Sequence, residues 1–290
     1  MRVTSQRARR ALVLTATAAA GAALVAGCGS SSTEPTNLSM SISENGKAAS
    51  FQVPKTATGG LVDLSFKNNG KAPHGVQLVQ YTGSHTAQDV LKTISGNSNA
   101  TPEWIRGQGG TDVVAGGKST SATLNLPAGN YIVVDSAQQG GPSSGPPATA
   151  EMKFSSGDTG DLPSTPATVA ADNPSKDKYK WSISGLHTGN NDITFDSKGK
   201  EAIHLIFAIP VKGKAPPLAQ IKKDLAAQKG SYFDFQNAQT SAVLDGGSSQ
   251  TLSFNLPKSG QYVFFCPLHD RDGKGKSHDQ EGLLSVETVK

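Results

Sequence analysis

Along this chain, short runs of β-branched and aromatic residues alternate with polar ones, and each run is closed by Gly, Pro, Asn or Ser. Runs of this length and period predict half-buried strands. In the first half they cover 61–66, 75–81, 121–126 and 130–135. In the second half they cover 180–184, 192–195, 204–209, 251–256, 261–266 and 283–289. Two segments follow helical spacing instead: Val90, Leu91 and Ile94 behind Thr86 as a cap, and Leu218, Ile221 and Leu225 among Lys222, Lys223 and Asp224. These predict one short helix in each half, lying over the end or side of a sandwich. Residues 155–177 are rich in Ser, Thr, Pro, Asp and Ala with no apolar period, and read as an interdomain linker. With 32 Gly, 16 Pro and only 6% aromatic residues, the composition points to all-β sandwiches rather than bundles or α/β layers.

The two halves are diverged copies of one unit. Lys67-Asn68-Asn69-Gly70-Lys71-Ala72-Pro73-His74 lines up with Asp196-Ser197-Lys198-Gly199-Lys200-Glu201-Ala202-Ile203-His204, and Asn125-Leu126-Pro127-Ala128-Gly129-Asn130-Tyr131 with Asn255-Leu256-Pro257-Lys258-Ser259-Gly260-Gln261-Tyr262. The offset is 129 residues at the head of the first block, 130 from His74 to His204 and from Asn125 to Asn255, and 131 after the inserted Ser259. A near-constant offset over that distance implies two tandem domains, 38–154 and 178–290, each with a helical insertion.

The N-terminus changes the charge picture. Arg2, Arg7, Arg9 and Arg10 precede an apolar stretch from Ala11 to Ala26, too short for a comfortable membrane span, so residues 1–27 read as an export signal. Leu24-Val25-Ala26-Gly27-Cys28 resembles a bacterial lipoprotein processing site. That resemblance implies lipidation of Cys28, a flexible tether over 28–37, and a chain held on the extracytoplasmic face of the cell membrane. The whole chain carries 27 basic and 23 acidic residues, and the four arginines of the signal account for the difference. The mature chain is formally neutral, which gives no support for a nucleic-acid partner.

Only two cysteines occur, so Cys266 would be the lone thiol of the mature chain and cannot form an internal disulfide. It follows the apolar run Tyr262-Val263-Phe264-Phe265 and shares the second copy with His204, His269 and His278. These are residue types that bind soft or borderline transition metals. One thiolate and two imidazoles in a trigonal plane make a copper electron-transfer site.

The order His204, Cys266, His278 and then a closing strand resembles the cupredoxin family, plastocyanin-like and azurin-like domains, over roughly 178–290. The first copy looks like a degenerate version. The resemblance implies Greek-key sandwiches and one copper ion in the C-terminal domain, held by His204, Cys266 and His278. Leu283 would then stand where the family commonly has an axial Met, favouring a comparatively high reduction potential. A competing register uses Cys266-Pro267-Leu268-His269, with Gln280 as the axial residue. A site using both His269 and His278 is a third arrangement, and the sequence leaves the three open.

Asp270-Arg271-Asp272-Gly273-Lys274-Gly275 with Glu281 imitates part of a calcium loop. However, Lys274 occupies a ligand position and no helices flank it, so a solvated hydrophilic loop is expected. In the first copy Asp135 stands at the position of Cys266. The following loop, 138–147, is mostly Gly, Pro and Ser, and Pro146-Pro147-Ala148 supplies no imidazole. His74 there reads as a fold relic or local hydrogen-bonding residue, and His85 as a surface residue. No paired His-x-His clusters and no nucleophile–base arrangement stand out, so an enzyme is not expected. The expectation is a membrane-anchored single-electron carrier with a redox protein partner. Copper sequestration or delivery, and a metal-free envelope scaffold, are the alternatives.

Overall fold

The computed structural model describes residues 33–46, 48–96, 98–137, 147–175, 178–199, 202–227 and 229–290. The expectations for the export signal, for Cys28 and for nearly all of the 138–147 loop lie outside these residues. The first repeat runs β1 Thr36–Asn45, β2 Ala48–Gln52, β3 Thr56–Thr58, β4 Gly60–Asn68 and β5 Val76–Tyr81. It continues with α1 Ala87–Ile94, β6 Ile105–Gly110, β7 Ser119–Leu126, β8 Gly129–Asp135 and β9 Thr149–Ser155. The second repeat runs β10 Ala167–Ser175, β11 Lys178–Ser184, β12 Gly189–Ser197, β13 Ile203–His204 and β14 Phe207–Pro210. Then come α2 Leu218–Ala226, β15 Gln239–Thr240, β16 Leu244–Asp245, β17 Ser248–Leu256, β18 Gly260–Phe265, α3 His278–Glu281 and β19 Leu284–Val289.

Strands alternate as their patterns require. In β4, Val62, Leu64 and Phe66 are buried while Ser65 and Lys67 face solvent; in β12, Ile193 and Phe195 are buried. Tyr131, Phe154, Tyr262, Phe264 and Phe254 fill the interior as wholly buried rings. The amphipathic stripe of α1 buries Ala87 and Val90, and Thr86 closes a reciprocal capping box with Asp89. In α2 Ile221 is buried, whereas Leu218 is 46% exposed, so the stripe is narrower than its sequence implies.

The repeats share one sheet. Its order, β11-β10-β12-β17-β7-β4-β1-β2, is a palindrome of equivalent strands. At the centre β17 pairs antiparallel with β7, and Leu252 lies opposite Ala122, its own counterpart at the 130-residue offset. A local two-fold therefore passes between the repeats, and each covers what would be the other's open edge. Side chains stitch the same seam. The Gln77 amide donates to the Val243 carbonyl at 3.0 Å and accepts from its N–H at 2.5 Å, while Gln250 Oε1 accepts from Gly110 N at 3.0 Å.

Three boundaries differ from the sequence reading. The tether 28–37 ends inside structure, because Thr36 and Asn37 open β1 opposite Val62 and Asp63. The stretch 155–177 contains β10, paired with both β11 and β12. Nearby Asp158 accepts from Leu61 N, and Gly160 exchanges hydrogen bonds with Asn125. By its contacts the described part of the chain from residue 33 onward forms a single compact unit. Finally, the run 204–209 breaks at Leu205 and Ile206, which separates β13 from β14.

Candidate metal centre

The break after β13 is what places His204. β13 pairs with β16, with His204 opposite Leu244, exactly as far along the second repeat as the His74–Val114 bridge is along the first. Cys266 is the first residue past β18, and its N–H still reaches the Leu283 carbonyl at 3.2 Å. The chain then loops out and returns. His278 N donates to Leu268 O at 2.8 Å, Asp279 N to Cys266 O at 2.9 Å, and Leu283 N to His278 O at 2.7 Å. Together with the short turn of α3, this ladder seats His278 beside Cys266.

His204, Cys266 and His278 are each 0% exposed, and their ligand atoms all lie within 4.8 Å of one another. Among the described residues this is the one such grouping of three His, Cys, Asp or Glu side chains. Cys266 Sγ is 3.7 Å from His278 Nδ1. Two donors about 2.0–2.3 Å from a shared ion at trigonal angles would be separated by roughly that distance.

Both rings are held from behind. His204 Nε2 bonds the Lys198 carbonyl at 3.2 Å, and His278 Nε2 bonds Asp270 Oδ1 at 3.3 Å. With Nε2 carrying the proton, Nδ1 of each ring is left as a lone-pair donor. His204 Nδ1 has no partner although it is buried. An orphaned buried acceptor beside a thiol is the arrangement that an ion would satisfy. The Tyr179 ring packs over both imidazoles, with centroids 4.4 Å from His278 and 5.4 Å from His204, and its hydroxyl donates to Asp270.

The electrostatics follow from burial. Burial pushes the Cys266 thiol up to about 12, and backbone N–H groups of Leu205 and Leu268 at the sulfur offset it only in part. Burial likewise lowers His204 to about 3, helped by His278, and lowers His278 to about 3, helped by His269. Neutral imidazoles are the ligand form. To bind a cation the thiol would have to lose its proton to solvent or a base, and the cation's charge would reverse the local preference in favour of the thiolate.

The other sequence candidates fall outside the cluster. His269 is half-buried, with an unpartnered Nδ1, and is not among the converging atoms. The Gln280 amide donates to Lys222 O at 3.3 Å and to Asp279 Oδ2 at 2.8 Å. Leu283 is wholly buried in the same apolar cluster as Cys266. The loop expected to be solvated is exposed at Asp272, Lys274 and Gly275, but Arg271 near its start is buried, only 4% exposed. Tyr179 and Asp270 are participants in the site that residue type and spacing do not assign to it.

The first repeat shows the same cradle with different chemistry. His74 Nδ1 bonds Asp135 Oδ2 at 2.6 Å and His74 Nε2 bonds Glu44 Oε1 at 3.0 Å, so both ring nitrogens are occupied by carboxylates. Backbone N–H groups of Lys71 and Ala72, ahead of the His74 bond, hold Glu44 down to about 2. His85 is exposed and stacks on Trp104 at 3.8 Å.

No protein-family model matches the chain, and no curated protein matches it. Solved structures give loose likenesses. Auracyanin A, a "blue" copper protein from Chloroflexus aurantiacus, is 19% identical, covers 41% of this chain and 99% of its own, and superposes with a TM-score of 0.29. An auracyanin from Roseiflexus castenholzii is 20% identical over 40% of this chain and 94% of its own, with a TM-score of 0.26. A multicopper oxidase is 13% identical over 88% of each chain, with a TM-score of 0.24. At such low identity and score these likenesses bear no weight for the site, which stands on its own geometry.

Proposed function

We propose that this chain is a mononuclear copper protein that passes single electrons, with His204 Nδ1, Cys266 Sγ and His278 Nδ1 as the ligands. The observation that carries this reading is the convergence of one thiol and two imidazoles in a wholly buried pocket, with one Nδ1 left unpartnered. Bound there, copper would supply a one-electron couple between its two common oxidation states. The donor set suits copper better than a closed structural zinc site, which would require a fourth donor where the apolar Leu283 is expected.

What the protein does is hold and shield. Lys198 O and Asp270 fix the two rings by their Nε2 atoms, so neither imidazole has to turn when charge changes at the site. Tyr179 and the surrounding apolar cluster exclude water, which keeps the ligand shell the same in both states. The apolar Leu283, packed in the same cluster as Cys266, could donate nothing to a bound copper, which would favour the reduced ion and a comparatively high potential.

The anchoring belongs to the same proposal. A lipid on Cys28, followed by the short Ser/Thr-rich tether, would hold the carrier at the outer face of the cell membrane within reach of a redox protein partner. No helix among the described residues is long and apolar enough to cross a membrane.

Equilibrium dialysis of the metal-free chain against Cu(II) tests the ligand set. One ion per chain is expected, retained by His269→Ala and lost, to within about a hundredth of the affinity or less, by His204→Ala, Cys266→Ser and His278→Ala. Retention by His278→Ala together with loss by His269→Ala would transfer the site to the other register.

A further inference from the structure

The loop between Cys266 and His278 lies against the first repeat and is clasped by it. Nη1 of Arg271 donates to the carbonyls of Ile105 at 2.9 Å, Pro102 at 3.3 Å and Thr101 at 3.4 Å, and Nη2 pairs with Asp245. The backbone is held as well, since Thr101 N donates to Arg271 O at 2.8 Å. Gly273 sits at φ +67°, and a Cβ there would lie 2.5 Å from the backbone nitrogen of Ala100. Only a residue without a side chain can approach that closely.

Asp245 makes the clasp specific. It also accepts from Gly107 N at 2.9 Å and from Arg106 Nη1 at 3.3 Å, both in the first repeat. It lies on β16, whose preceding residue, Leu244, pairs with His204. The loop that carries Cys266 and His278 and the strand beside His204 therefore meet at one carboxylate held by the first repeat. Asp270, which fixes His278 through Nε2, is the immediate neighbour of Arg271.

We infer that the first repeat braces the metal loop of the second, and that Arg271 is the positioning residue through which it does so. This inference rests on reading the triad as a metal site. The physical reason is conformational. A loop with Gly273, Gly275 and several charged residues samples many arrangements when free, and ordering it costs entropy that its own few contacts do not offset. The buried guanidinium supplies a rigid fork of donors; the first repeat answers with three carbonyls, and Asp245 of the second repeat, itself held by Gly107 and Arg106 of the first, answers with a carboxylate. Clamping 270–273 on 99–105 thus sets where His278 stands relative to Cys266. The first repeat has a task in the site although it lacks the thiolate itself.

Two variants of the full mature chain test this. Arg271→Met combined with Asp245→Asn opens the clasp without stranding a charge, and Gly273→Ala wedges the loop away from Ala100. Each is compared with the wild type by circular dichroism, by the rate at which methyl methanethiosulfonate modifies Cys266 in the metal-free chain, and by Cu(II) affinity and the energy of the thiolate-to-copper absorption band. The brace predicts folded variants with faster thiol modification, copper affinity lowered about 10–100-fold and a shifted band. Wild-type rates, affinity and band in Gly273→Ala would overturn it, even if the double variant fails to fold. A wild type that binds no copper would sink the metal reading alone, because the thiol rates of the metal-free chains still report on the clasp.

Discussion

His278 depends on its surroundings more than any other residue of the triad. Its ring is set by the return of the chain through α3 and by a single carboxylate behind it, Asp270, which Tyr179 also holds. Replacing Asp270 by Ala removes the acceptor for His278 Nε2 and frees the ring to rotate. The expected outcome is a 10–100-fold loss of Cu(II) affinity with the fold retained, measured by competition against a chelator. An unchanged affinity would mean that the ring is set by packing alone. At this scale the sequence displays residue types and order: His204, Cys266 and His278 can be picked out because thiol and imidazole are rare here and follow one another in a known way. It cannot display Tyr179 or Asp270 as partners. Tyr179 sits just before a predicted strand, and Asp270 in a run of charges that reads as solvated; both acquire their roles from neighbours about ninety and eight residues distant. The same holds for Arg271, whose burial is decided by residues about 170 positions away.

Among the elements, strands with a strong apolar pattern, alternating in β4 and continuous in β8, stand close to where the sequence pattern puts them. The strands that escape the pattern do so for particular reasons. β6, Ile-Arg-Gly-Gln-Gly-Gly, has one large apolar residue. Its glycines are needed for close approach, since a Cβ at Gly107 would meet the Val243 carbonyl at 3.0 Å and one at Gly110 the Val76 carbonyl at 1.9 Å. β10 is built on Ala167, Val169 and Ala171, small residues whose alternation is hidden in a Ser/Thr/Pro-rich stretch. Its strand character comes from its pairing with β11 and β12, which local propensity does not report. The four-residue α3 is too short for any helical period, yet it delivers a ligand candidate to the site.

At the scale of the whole molecule, duplication is plain in the sequence, whereas the fusion of the repeats across β7 and β17 is not. A buried carboxylate marks that seam. Asp112 is 2% exposed; it accepts from Thr120 Oγ1 and is also hydrogen-bonded through the backbone of Asn255, on the opposite repeat. Burial raises it to about 7, against an ordinary value of 3.8. Between those values the folded chain keeps a proton that the unfolded chain has released, so this group's contribution to stability is full below about pH 4 and is lost as the pH rises to about 7. The amount is of order 4 kcal/mol. The buried imidazoles of the metal-free chain act in the opposite sense, since they are lowered in the fold and disfavour it as pH falls below 6.5. The clean measure is therefore the difference between the wild type and Asp112→Asn. Urea unfolding at about pH 5 and about pH 8 should show the wild type losing stability relative to the variant at the higher pH. Parallel behaviour of the two would show that Asp112 is charged in the folded chain throughout.

Copper bound by Cys266 as a thiolate between two imidazoles would carry a spectroscopic signature of its own. The most direct measurement is the visible and electron paramagnetic resonance spectrum of the metal-free chain after one equivalent of Cu(II), followed by reduction and reoxidation. The expected result is an intense thiolate-to-copper band that bleaches on reduction, returns on reoxidation and is absent from Cys266→Ser. Stoichiometric binding with no such band, or no binding at all, would contradict it.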